Sequence, residues 1–373
     1  MTTLTALALP LGDLRDQASN VPQAAPVINN GCSDPDVAQR DDDLAQTFIR
    51  RFEGVLDLVA RSKILRAEME LAQLNNMAAA LPRTTTTSST KLQECLEMLK
   101  TNDAIARVQK SADEVRKLVQ QAKSSDPTWV LNLENTKRSM KTFHRMDQEA
   151  GILSLKVEAR RIHCSVFDLL TLLNEFDLLG AILTNPLVKI EIDPLYVDKL
   201  RKLMHARVKP IWPFGARDAV VDVAGFDVLD QGCICILGQS FESVAELNIS
   251  APPVPSACTR VAVRWSGAVI RPIQPNLTSM VAILNVDLRV SVLPQKFINF
   301  VARQLSMPIL TMFVDRAESI SDSEPHQERI RTNANGTYDV IREALVGFDY
   351  ENAALVEVQM SSEIDDDELY GEI

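Results

Sequence analysis

Histidine is scarce in this chain: four in 373 residues, His144, His163, His205 and His326, far apart along the sequence. None stands in a nucleophile–base arrangement. There is no GxSxG elbow, no phosphate-cradling P-loop and no HExxH zinc helix. The chain therefore reads as a binding protein and not as an enzyme. The six cysteines, Cys32, Cys95, Cys164, Cys233, Cys235 and Cys258, form no CxxC pair. That removes the usual zinc and redox signatures and leaves buried thiols in a reducing compartment. No metal and no cofactor are expected. The long apolar run of about 20 residues that a membrane helix needs is also missing. Residues 1–10 lack the basic start of a signal peptide, so a cytoplasmic protein is expected. Positive charge is in short supply. From Glu318 onward 15 Asp and Glu face 3 Arg, and with a net charge of −11 the preceding 317 residues carry about +1. A body so nearly neutral is not built to grip nucleic-acid phosphates.

What the chain does contain is periodic. Residues 1–36 are rich in Pro, Asn, Ala and Gln without a period and are expected to be disordered. From 37 to 81 the pattern turns helical, with Leu44, Phe48, Phe52, Val55 and Val59 three or four apart on one face. Pro82 and a run of hydroxyl residues over 84–90 break it. A second helical stretch over 91–123 carries Leu92, Leu96, Leu99, Ile105, Val108, Val115 and Leu118. Two amphipathic helices across a short linker imply a helical hairpin over 37–123. The same stripes would serve self-association or a protein partner. Asp126-Pro127 offers an N-cap and an N1 proline, which predicts a short helix bearing Trp129, Leu131 and Leu133.

Beyond 141 the texture becomes β-rich. Residues 152–159 alternate apolar and polar, and 166–179 read as one helix. Further strands are expected at 186–193, 200–209, 217–228, 232–241, 258–266, 268–274 and 279–290. Strands that follow one another without helices between them imply an antiparallel sheet. Pro252, Pro253 and Pro255 make 251–256 a surface loop. The last predicted helix, 294–319, turns Phe297, Phe300, Val301, Leu305, Ile309 and Met312 to one side, and Pro308 in its interior predicts a kink. Residues 320–373 are acidic and expected to be mostly disordered.

One run of motifs resembles a known family. It begins with Trp212-Pro213-Phe214-Gly215-Ala216-Arg217-Asp218-Ala219-Val220 ahead of the proline-rich loop. It ends with Val286-Asp287-Leu288, then Leu293-Pro294, then Phe297-Ile298-Asn299. In this order and spacing the stretch 125–319 resembles START domains (steroidogenic-acute-regulatory-related lipid transfer domains). The resemblance implies an α+β helix-grip fold, a curved antiparallel sheet around a long C-terminal helix, here preceded by the α-helical hairpin. It also implies one hydrophobic cavity for a lipid, with the loop 242–255 and the helix 294–319 as its lid. Ala216 departs from the family, which usually has a proline directly before the Arg. On the strand after Arg217-Asp218, Ala219, Val221 and Val223 share one face while Asp218, Asp222 and Ala224 share the other. With the apolar face inward, this strand offers no buried charge for a phospholipid headgroup.

A lipid carrier has a physical task. Each methylene exposed to water costs about 0.8 kcal/mol, so a ~16-carbon chain needs apolar walls worth on the order of 13 kcal/mol. The expected lipid-binding walls are Val221, Val223, Val261, Val263, Trp265, Leu284, Val286 and Leu288 from the strands, with Phe300, Leu305, Pro308 and Met312 from the helix. Arg217-Asp218 reads as a structural charge pair. His205 belongs to a solvated basic strand face with Lys199, Arg201, Lys202, Arg207 and Lys209. Cys233 and Cys235 read as small hydrophobes. The expected function is binding of one lipid (sterol, phospholipid or sphingolipid) and its transfer through transient membrane contact. The alternative is a regulatory or scaffold protein in which the lipid site is a sensor and the helices of 37–123 bind a partner.

Overall fold

The computed structural model describes residues 35–81, 90–124, 126–147, 149–183, 189–210, 215–289, 298 and 305–351. The chain divides into two compact units, Met1–Asp113 and Glu114–Ile373.

The first unit is helical. Helices α1 (Pro35–Ala60), α2 (Ile64–Ala80) and α3 (Thr90–Thr101) belong to it, and α4 (Asp103–Lys123) begins in it and ends in the second unit. The predicted stripe is buried at Phe48, Phe52, Val55 and Val59, whereas Leu44 is exposed. Each of the two predicted helical stretches is interrupted once. Ser62 adopts a left-handed φ of 53° between α1 and α2. Between α3 and α4, the Asn102 side chain accepts hydrogen bonds from the N–H groups of Ala104 and Ile105, at 2.9 and 3.2 Å, and so caps a new helix.

The second unit is built on one sheet. Its strands are β1 (Val130–Asn135), β2 (Met140–Asp147), β3 (Ile152–Ile162), β4 (Ile190–Val197), β5 (Arg201–Val208), β6 (Ala216–Val228) and β7 (Cys233–Ser240). After a separate two-stranded ladder, β8 (Ser243–Val244) with β9 (Ile249–Ser250), come β10 (Cys258–Arg260), β11 (Ala262–Val263), β12 (Ser266–Gln274) and β13 (Leu277–Asp287). Spatial order is β1-β2-β3-β13-β12-β7-β6-β5-β4, antiparallel throughout. Two short strands lie off this path: β10 runs parallel to β6, and β11 runs antiparallel to β13.

Helices α5 (Val166–Asn174) and α6 (Phe176–Leu183) connect β3 to β4, and α7 (Ser306–Glu318) follows the sheet. Leu310, Phe313, Val314 and Ala317 of α7 pack with Met140, Ala159, Ile234, Ile270 and Met280 of the strands and with Leu169 and Leu172 of α5. This is the main core, and it defines an inner, helix-bearing face of the sheet. Strand alternation carries that face along β13 through Ala282, Leu284 and Val286. Val281 and Ile283 point the other way and are also buried.

Four local expectations differ from the structure. Residues 130–135 form an edge strand and not a helix. Asp126 Oδ1 accepts from Thr128 N at 2.9 Å in a tight turn, and Leu131 and Leu133 then pair with Phe143 and Thr142 of β2. The segment 166–179 is two helices, because Glu175 takes a non-helical ψ of 70°. The predicted strand 258–266 is split into β10 and β11 around Val261. Residues 320–345 of the segment expected to be mostly disordered carry a short 3-10 turn and two helices, α8 (Glu324–Thr332) and α9 (Thr337–Leu345). Their charge-rich composition conceals the apolar positions Ile320, Tyr338 and Ile341, each buried in the main core. The kink expected at Pro308 depends on residues 299–304, which lie outside the described residues, as do 294–297 of the same predicted helix and residues 352–373.

Candidate functional site

Half of the expected wall residues meet in one place. Ala219, Val221 and Val261 are buried in an apolar cluster joined by Met204, Val223, Val263, Val286 and Leu288. The register explains the meeting. Val221 faces Met204 across β5–β6, and Val263 faces Val286 across β11–β13. Val261 donates its backbone N–H to the Asp218 carbonyl at 2.8 Å, which draws the β10–β11 segment against β6. Leu288 also touches a neighbouring cluster formed by Leu153, Ile298, Met146 and Leu155.

The remaining expected residues lie elsewhere or stay apart from this cluster. Leu284 is on the same inner face, opposite Leu155 of β3, yet it is 42% exposed in a strand with neighbours on both sides. Trp265, between β11 and β12, has the Lys117 ammonium of α4 4.7 Å from its ring centre. Leu305 is buried just ahead of α7, Pro308 is exposed, and Met312 lines an open groove with Leu178, Arg316 and His326. Phe300 lies outside the described residues, as do Trp212–Phe214 and the Leu293-Pro294 pair. The implied lid loop, 242–255, contains the small β8–β9 ladder.

Arg217 and Asp218 do not pair with each other, because successive strand residues point to opposite faces. Arg217 donates to the carbonyls of Gly215 and Ala216 at 3.1 and 3.2 Å. Asp218, whose side chain is fully buried, accepts from Arg260 Nε at 3.1 Å and lies 2.9 Å from His205 Nε2. Burial alone would raise this carboxyl, but the hydrogen bonds from Arg260 and His205 outweigh it and hold the pKa below the usual range. Arg260 Nη1 also donates to the Pro252 carbonyl at 2.7 Å, which ties the proline-rich loop to the buried acid. His205 is therefore a buried partner and not part of a solvated face. Cys233 and Cys235 are fully buried free thiols, and among the described residues no group of His, Cys, Asp and Glu is arranged to hold a metal.

Beside the apolar cluster lies a polar cleft of about 480 Å³, whose walls include Glu175, Asp177, Lys202, Met204, Arg329 and Tyr338. Tyr338 Oη donates to Glu175 Oε1 at 2.6 Å, and Arg329 Nη2 is 2.7 Å from Asp177. Burial, then the bond to Glu175, pushes the Tyr338 phenol up. Lys202, like His205, is a residue that sequence reasoning placed wrongly on a solvated face. Its parity was the available signal, because Lys202, Met204, Ala206 and Val208 share a face that is apolar except for the lysine.

No family model matches the chain, and no curated protein matches it. Solved structures do. The chain is similar to human STARD10, with TM-score 0.45 and 12% identity over 56% of this chain and 79% of that one. It is similar to human StAR-related lipid transfer protein 5, with TM-score 0.42 and 15% identity over 58% and 97%. A STAR-related lipid transfer protein fragment from Xanthomonas axonopodis gives 0.41 and 13% over 51% and 98%. No helix among the described residues is long and apolar enough to cross a membrane.

Proposed function

We propose that the START-like unit holds one hydrophobic ligand against the inner face of its sheet and exchanges it with membranes by transient contact. The loop 242–255 and the C-terminal helix close the site, and the protein works in the cytoplasm. The observation that carries this reading is Leu284. A large apolar side chain in a paired strand, on the face that elsewhere packs a helix core, retains 42% of its accessible surface. It stands between Met280 of the main core and Val286 of the second cluster, which supports reading the inner face there as lined and not filled. Apolar surface left open in this way is what a lipid chain would cover, at about 25 cal/mol per Å². The motif resemblance over 125–319 points to the same use.

The test is lipid extraction and native mass spectrometry of the purified chain, followed by transfer of sterol, phospholipid and sphingolipid between vesicles. A co-purifying lipid of one class, and transfer of that class above the protein-free rate, is expected. A ligand-free protein that transfers none of the three would overturn the reading.

A further inference from the structure

The inner face of β5 and β6 is an apolar row with one charged end. Across the ladder Ala206 faces Ala219, Met204 faces Val221, and Lys202 faces Val223. Lys202 stands where the row opens into the polar cleft, and Met204 belongs to both, lining the cleft and packing in the Val221 cluster. The cleft is completed from outside the sheet by the α5–α6 junction at Glu175 and by Arg329 and Tyr338 of α8 and α9.

The groups around Lys202 are matched to one another. Glu175 accepts from Tyr338 and, at 2.8 Å, from Asn174 Nδ2. Arg329 lies 3.4 Å from Glu175 and 2.7 Å from Asp177. Glu328, also on the wall, pairs with Arg331 at 2.7 Å. The Lys202 ammonium makes no hydrogen bond or ion pair to any described residue. Burial lowers its pKa, and the more distant charges of Glu175 and Asp177 work against that. The cleft wall carries Glu175, Asp177 and Glu328 against Lys202 and Arg329, and Arg331 beside the wall offsets Glu328. An entering anion meets the Lys202 ammonium, whose three N–H donors are taken by no described residue.

We infer that this cleft receives the anionic oxyacid head, a carboxylate or phosphate, of an amphiphile whose apolar chain lies along the Val221 cluster. The inference rests on the lipid-binding reading and names the ligand class within it. Against a half-buried ammonium, a carboxylate or phosphate forms a charge-assisted hydrogen bond, whereas an alcohol forms a weaker one.

Two probes with one chain separate these cases. Delipidated full-length protein is titrated near neutral pH with hexadecanoic acid, with hexadecanol and with inorganic phosphate, as wild type, Lys202→Met and Lys202→Arg. Wild type is expected to bind the acid about tenfold or more tightly than the alcohol. Lys202→Met removes that preference and weakens alcohol binding far less than acid binding, with an unchanged thermal unfolding midpoint reporting an intact fold, and Lys202→Arg retains the preference. Equal binding of acid and alcohol by wild type and Lys202→Met would overturn the anion site while the lipid-binding reading stands. Binding of neither amphiphile would overturn both. If inorganic phosphate alone binds, and Lys202→Met abolishes it, the cleft serves a soluble anion and the amphiphile is excluded.

Discussion

Asp218 shows how much a single buried charge can organise. Its carboxylate is fully buried and holds Arg260 from β10 and His205 from β5, and Arg260 in turn holds the proline-rich loop. Replacing it by Asn leaves the guanidinium beside a neutral amide. Breaking a buried pair from one side costs about 3 kcal/mol or more. Asp218→Asn is therefore expected to lower the urea midpoint of the second unit clearly, without a change in slope. The pH dependence has a definite sign. A carboxyl whose folded pKa is depressed contributes stability above the ordinary value near about 3.9, and loses it as pH falls through the folded value. Acid titration of wild type should show that loss, and Asp218→Asn should show less of it. A variant as stable and as acid-sensitive as wild type would remove Asp218 from this role. The sequence exposed the charge on Asp218 but assigned it to Arg217, its neighbour in sequence. Alternation forbids that pairing and favours residues from two other strands.

At the scale of elements, α7 and β13 share the inner face but use it differently. Phe313 of α7 is 8% exposed in the main core, so Phe313→Ala is expected to cost about 3–5 kcal/mol. Leu284 of β13, on the same side, is 42% exposed. Leu284→Trp should therefore change stability by less than about 1 kcal/mol, while lowering the amount of co-purifying lipid at least severalfold. Thermal unfolding and lipid extraction on the same samples decide it. A large stability loss in Leu284→Trp would show a filled core at that position. In the first unit, Asn102 caps α4 through two backbone N–H groups. Asn102→Ala is expected to cost about 1 kcal/mol, read by equilibrium denaturation. The sequence carried most of these elements in their periods, including β5, β6, β7 and β12–β13 to within a few residues. It misassigned 130–135 because Asp126-Pro127 is a good helix start locally, whereas the ladder with β2 is formed by residues that lie beyond the turn.

At the scale of the molecule, charge is segregated. Residues 352–373 contain seven Asp and Glu and no Lys or Arg. A segment this acidic opposes approach to an anionic bilayer over about a Debye length, roughly 8–10 Å at physiological salt. Removing residues 352–373 is expected to raise binding to phosphatidylserine-containing vesicles at low ionic strength, with the difference fading toward 0.5 M salt, roughly where screening is short-ranged. Sedimentation of the two proteins with vesicles checks this. An equal response of full-length and shortened chains at low salt would show that these residues do not set membrane contact. In the helical unit the stripe residues Phe48, Phe52, Val55 and Leu74 are already buried, so they are not offered to a protein partner.

The sequence by itself determined what is periodic or cumulative: two amphipathic helical stretches, a run of strands without helices between them, a near-neutral body and an acidic end. Each of these is a property of neighbours along the chain, where spacing alone decides which side chains share a face. Only the tertiary structure decided what depends on strand register. It joined Val221, Val261 and Val286 into one cluster, gave Asp218 its partners, left Leu284 open and set Lys202 at the end of the apolar row. Register is fixed by pairing between distant segments, and a shift of one residue would send every one of these side chains to the other face.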